Sequence, residues 1–80
     1  LPINVNINGI LIEYATAEIQ AIDDHSIQFR LTQAEDVIKL YTKKEILPSH
    51  EYKIERQGES ILVKSTKHGK IDDQLKLYFK

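Results

Sequence analysis

No cysteine, methionine or tryptophan occurs among the 80 residues. Without cysteine there is no disulfide framework and no thiolate metal site. That absence leaves the compartment open, cytoplasmic or secreted, because both tolerate a thiol-free chain. Glycine is scarce, at positions 9, 58 and 69 alone, so no glycine-rich phosphate loop can form. Neither charge sign dominates: 11 basic residues stand against 12 acidic ones, for a formal charge of −1. A nucleic-acid binder usually carries a basic excess, so the balance argues against that partner. No apolar run is long enough to cross a membrane as a helix, and no secretory signal pattern is present.

What is present is ordinary for a globular protein. Hydrophobic residues make up 41% of the chain and recur along its whole length, which argues against disorder. The length suits one small domain, residues 1–80, with a modest core. The chain opens at Leu1 and closes inside the alternating run "LKLYFK". This leads us to expect a segment of a larger multidomain protein, monomeric in isolation.

The apolar spacing is mostly of period two. "INVNI" places Ile3, Val5 and Ile7 against Asn4 and Asn6, as a half-buried strand does. Asn8-Gly9 follows, a strong hairpin signal. "ILIEYATAEIQAI" reads as one strand, with Ala17, Ile19 and Ala21 alternating against Glu18 and Gln20. "SIQFRL" alternates again through Ile27, Phe29 and Leu31, which predicts a hairpin around Asp23-Asp24-His25. "EYKIERQGESILVKS" predicts a second hairpin, turning at Gln57-Gly58-Glu59. Lys67-His68-Gly69 is a further turn signal, and Leu75, Leu77 and Phe79 alternate at the end.

"TQAEDVIKLYTKKEIL" admits two readings. As a helix near residues 33–45, Thr32 and Glu35 form a capping box, and Ala34, Val37, Ile38 and Tyr41 share a face. As a strand, "VIKLYT" points Ile38 and Leu40 inward. We favour the strand, since the neighbouring segments are all β and context overrides local propensity. The expected fold is therefore an all-β, small antiparallel sandwich, Ig-like, of about six or seven strands. The alternative is an α+β domain that keeps the helix.

The polar clusters carry little chemistry. Asp23-Asp24-His25 are consecutive, and consecutive strand residues point to opposite faces, so they do not converge on an ion. They read as a turn. Asp72-Asp73 precedes a strand and reads the same way; a glycosidase needs two carboxylates facing across a cleft. Ser26, Ser49, Ser60 and Ser65 lie in no nucleophile-elbow pattern. Lys43, Lys44, Lys64, Lys67 and Lys70 are interspersed with acids and read as a solvated face. Phe29 and Phe79 fit the core phase, whereas Tyr41 and Tyr78 are candidates for exposure. No catalytic, cofactor-binding or metal-binding residue is assigned, no ligand-binding residue is singled out, and no cofactor is expected.

Three stretches support a family resemblance. "AEIQAIDDHSIQFRLTQ" resembles the strand–turn–strand opening of the accessory β domains of bacterial type I pullulanases. "ILPSHEYKIE" is similar to their later segment, where a Leu and a short polar turn precede a Tyr-led strand. "GKIDDQLKLYFK" resembles the stretch before their next module. Together these span Ala17 to Lys80 discontinuously. The resemblance implies a non-catalytic N-terminal module of an α-1,6-glucan debranching hydrolase. Its partners would be neighbouring domains of the same chain, with weak α-glucan contact as a further implied role. The family's catalytic carboxylates belong to a separate barrel domain, and its tryptophan-based sugar site has no counterpart here. An Ig-like interaction or adhesion module of a bacterial surface protein is the rival expectation.

Overall fold

The structure, a computed structural model, describes residues 2–33, 35–66 and 73–80. Among these residues eight strands form, all paired antiparallel. They are β1 (Pro2–Ile7), β2 (Ile10–Ala15), β3 (Glu18–Ile22), β4 (Ser26–Arg30), β5 (Val37–Thr42), β6 (Tyr52–Gln57), β7 (Ser60–Ser65) and β8 (Gln74–Tyr78). One sheet runs β1-β2-β5-β7-β6 and the other β3-β4-β8. The two sheets pack as a sandwich, and there is no helix among the described residues.

Two of the turns follow from their residues. Asn8 and Gly9 take φ of 50° and 80°, the pair of positive values that a type I′ turn demands. Ile7 pairs with Ile10 across it. In the β6–β7 hairpin, Gln57 pairs with Ser60, so the loop is Gly58-Glu59. Gly58, with φ of 65°, occupies the first loop position, where a type II′ turn calls for glycine.

The expected all-β sandwich forms with eight strands among the described residues, against the six or seven counted from the sequence. The run Ile10–Ile22 is two strands rather than one. At Thr16-Ala17 the chain leaves the five-stranded sheet and enters the three-stranded one. Sandwich corners arise where a strand changes sheets through such a bend. Ala15 and Ala17 are both buried there, and their small side chains let the layers approach.

The register also shifts between Ile19 and Ala21. Ile19 stays opposite buried Phe29, but Ala21 lies opposite Gln28 on the solvent face and is exposed. A bulge thus interrupts the simple alternation expected through Ala17, Ile19 and Ala21.

The helix alternative near residues 33–45 does not form. Val37–Thr42 is a central strand, paired with β2 on one side and β7 on the other. Pairing on both sides engages its backbone donors and acceptors, and Ile38 and Leu40 become fully buried. A helix over the same residues would leave β2 and β7 without the strand between them. The Lys67-His68-Gly69 turn, Asp72 and Ala34 lie outside the described residues.

Phe29, Ile12, Ile27, Leu31, Ile38, Leu40, Val63, Leu75 and Leu77 make the centre of the core. Burying each such side chain contributes about 1.5–3 kcal/mol before conformational entropy is set against it.

Candidate docking face

The acidic corner is structural. Asp23 N–H donates to Ser26 O at 2.8 Å, and Asp23 Oδ1 accepts Asp24 N–H at 2.7 Å. His25 O accepts the Phe79 amide at 2.7 Å, which ties the corner to the end of β8. The three side chains are exposed. Asp73 has a similar local role: its Oδ1 accepts Gln74 N–H at 3.0 Å, and its carbonyl accepts Leu31 N–H at 2.7 Å.

The serines and lysines are dispersed. Ser26 and Ser65 are buried, Ser49 Oγ accepts the Glu51 amide, and Ser60 Oγ donates to Glu13 at 3.1 Å. Lys64 pairs with Glu55 at 3.4 Å on the solvent face of the five-stranded sheet. Lys43 and Lys44 follow β5, whereas Lys67 and Lys70 lie outside the described residues.

Tyr52 belongs to the core, and its hydroxyl donates to the Leu47 carbonyl. Burial raises its phenol pKa above the ordinary 10.0, because the charged phenolate is the form that loses water.

The residue that sequence reasoning missed is Asp36, which is 1% exposed. Its Oδ1 accepts the Thr16 hydroxyl at 2.7 Å, and Thr32 Oγ1 lies 3.1 Å from the same atom. Its Oδ2 accepts Thr32 N–H at 3.0 Å and Gln33 N–H at 3.4 Å. Its backbone carbonyl accepts Ser65 N–H at 3.0 Å. Thr16 Oγ1 in turn accepts the Val37 amide at 2.9 Å. The carboxyl group therefore joins the β2–β3 corner, the end of β4 and the start of β5. This cluster is internally satisfied and turned inward, which suits a structural tie rather than a reaction. Its signal was phase: positions 36, 38, 40 and 42 all face the interior.

The outer faces of the two sheets differ in kind. On the three-stranded sheet Glu18 pairs with Arg30, Gln28 Nε2 donates to Gln20 Oε1 at 3.2 Å, and the Lys76 ammonium lies 5.6 Å from the Tyr78 ring centre. The polar groups in the middle of that surface satisfy one another, and the exposed apolar groups of this sheet, Ile22 and Tyr78, lie at the ends of β3 and β8.

The outer face of the five-stranded sheet is mixed. Leu11 lies opposite Tyr41, and Lys39 lies between Tyr14 and Leu62 in one cross-strand row. Val37 and Lys64 form the next row with Lys53. A register shift between Ile12 and Tyr14 turns Tyr14 outward, and Tyr14 is exposed. Leu11, Val37, Tyr41 and Leu62 are each half-buried. Aliphatic and tyrosine side chains thus occupy the middle of a surface that an antiparallel sheet would ordinarily give to polar groups. Glu13, Lys39, Lys53, Glu55 and Lys64 lie among and around them. Apolar groups and tyrosine over the middle strands, with one lysine among them and further charges around, resemble the mixed composition of a contact surface between proteins.

No known protein family matches the chain, and no curated protein or solved structure is significantly similar to it.

Proposed function

We propose that this chain is a non-catalytic β-sandwich module that packs the outer face of its five-stranded sheet on a neighbouring domain. The observation that carries this reading is the contrast between the two outer faces. One has paired polar groups at its middle and exposed Ile22 and Tyr78 only at strand ends, and the other holds Leu11, Tyr14, Val37, Tyr41 and Leu62 half in water across three adjacent strands. The segments quoted above, which resemble the accessory β domains of type I pullulanases, suggest the neighbour. It would be the barrel of a bacterial α-1,6-glucan debranching hydrolase, which this module positions and solubilises.

The experiment is hydrogen exchange on the isolated domain and on the whole polypeptide of which it is part. Docking slows exchange along β2, β5 and β7 in the whole polypeptide, and Tyr41→Glu with Leu62→Lys reverses the effect. Equal exchange in both contexts overturns the reading. Titration of maltooligosaccharide or pullulan into isotope-labelled domain tests the glucan contact. Shifts confined to one outer face at millimolar sugar support it, and their absence removes it.

A further inference from the structure

The four sheet edges are not equally protected. Exposed edges recruit other strands unless charge, proline, bulges or a covering segment prevents it. β6 carries Lys53, Glu55 and Arg56 along its edge. β3 carries Glu18 and a bulge. The far side of β8 is covered at one end, where Leu47 N–H donates to Tyr78 O at 2.9 Å and Lys80 N–H to Glu45 O at 2.8 Å. β1 has Pro2 and a register shift before Val5, which guard its start, but the remainder, Val5–Ile7, has no charge, proline or bulge.

Its backbone is available as well. Ile7 and Ile10 flank a two-residue turn, so their amides and carbonyls face each other. The neighbouring residue alternates, which points Asn6 N–H and C=O away from β2. No turn, loop or cap bond of the backbone among the described residues uses either group. Beside Val5 lies a mainly apolar hollow of about 320 Å³, lined also by Ala15, Ala17 and Ile19, with Thr16, Glu18 and Thr32 contributing polar groups.

We propose that β1 pairs antiparallel with β1 of a second copy of this chain, in a register centred on Asn6. The absence of charge suits a second copy of the same edge. In the register centred on Asn6 the axis residue meets its own copy and Val5 meets Ile7, so no like charges are brought together, whereas a charge at the axis would oppose itself. The β1 edge is neutral, and Asn6 would meet Asn6 of the second copy, each supplying one donor and one acceptor. Val5 and Ile7 are half-buried on the inner side, and those of the second copy would close over the hollow. The two five-stranded sheets would become one continuous sheet. The monomer expected from the sequence would then hold only at low concentration.

Sedimentation equilibrium of the whole chain from micromolar to millimolar concentration tests this. A monomer–dimer equilibrium is expected, together with slowed exchange of the Asn6 amide as dimer forms. Asn6→Pro removes the outward donor without touching a β1–β2 hydrogen bond. Asn6→Lys opposes two like charges. Each substitution should weaken the dimer about tenfold or more, because the two-fold axis counts it twice. If the proline variant does not fold, the lysine variant decides, since Asn6 is exposed. A monomer at every concentration, or a dimer equally tight in the folded variants, overturns the proposal.

Discussion

Asp36 Oδ1 accepts the Thr16 hydroxyl at 2.7 Å, across 20 positions of sequence. The bond joins the corner where the chain changes sheets to the residue that precedes β5. A buried carboxyl group is tolerated because donors surround it. Asp36→Ala should take the nearest acceptor from the Thr16 hydroxyl and from the Thr32 and Gln33 amides, while the Thr32 hydroxyl keeps the Thr16 carbonyl at 2.8 Å. The expected loss is about 2–4 kcal/mol, read as a lower urea midpoint at unchanged slope. Asp36→Asn preserves shape but turns one acceptor into a donor that faces other donors, so it should cost about 1–3 kcal/mol. If both variants were as stable as the parent, the tie would have no structural role.

Tyr52 gives the domain a pH dependence at the alkaline end. Burial raises its pKa in the folded state above the 10.0 of the unfolded chain. Between those values the folded state holds the proton that the unfolded state has lost, so stability falls with rising pH. The contribution is complete below pH 10.0 and disappears as pH climbs through the folded value. Tyr52→Phe should abolish this part of the slope. It should also cost about 0.5–1.5 kcal/mol at neutral pH, from the lost bond to the Leu47 carbonyl. Urea melts of both proteins at neutral pH and above pH 10.0 compare the slopes.

Much of this fold was legible in the sequence because period-two spacing is a local property. Ile27 and Phe29 announced β4, Ile61 and Val63 announced β7, and Asn8-Gly9 announced its turn. Residues 33–45 were ambiguous for a physical reason. Thr32 and Glu35 look like a helix cap, but Thr32 directs its amide to Asp36, and Gln33 Nε2 donates to the Glu35 carbonyl. Only pairing with β2 and β7 settles the strand, and those partners are distant in sequence. The corner at Thr16-Ala17 left no trace in the alternation, since alanine and threonine suit a strand as well as a bend. The candidate docking face was harder still. Leu11, Tyr41 and Leu62 become one surface only when β2, β5 and β7 are set side by side.

The two glycine turns allow a test free of packing effects. A β-carbon on Gly58 would meet nothing within 4 Å, and one on Gly9 would meet only the Lys44 side chain at 3.9 Å. Space is therefore not the constraint. Both residues hold positive φ, 80° at Gly9 and 65° at Gly58. Gly9→Ala and Gly58→Ala should each cost about 1–2 kcal/mol through backbone conformation alone. The two sites lie in separate hairpins, so the double variant should show the sum within about 0.5 kcal/mol. Thermal melts of the four proteins check both the size and the additivity.

Leu40 and Tyr41 are neighbours on β5 that face opposite sides of the sheet, and they separate structure from docking. Leu40 is fully buried, so Leu40→Ala should cost about 2–5 kcal/mol by losing contacts and leaving a cavity. Tyr41 is half-buried opposite Leu11. Its contacts within the domain are shallow, so Tyr41→Gln should cost no more than about 1 kcal/mol. The docking reading needs this asymmetry, because a contact residue is retained for its partner and not for the fold. A urea midpoint for Tyr41→Gln as low as that of Leu40→Ala would mean that Leu11, Tyr41 and Leu62 form a second, outer core. The apolar character of the face would then be explained by stability, and the case for a docked neighbour would lose its main support.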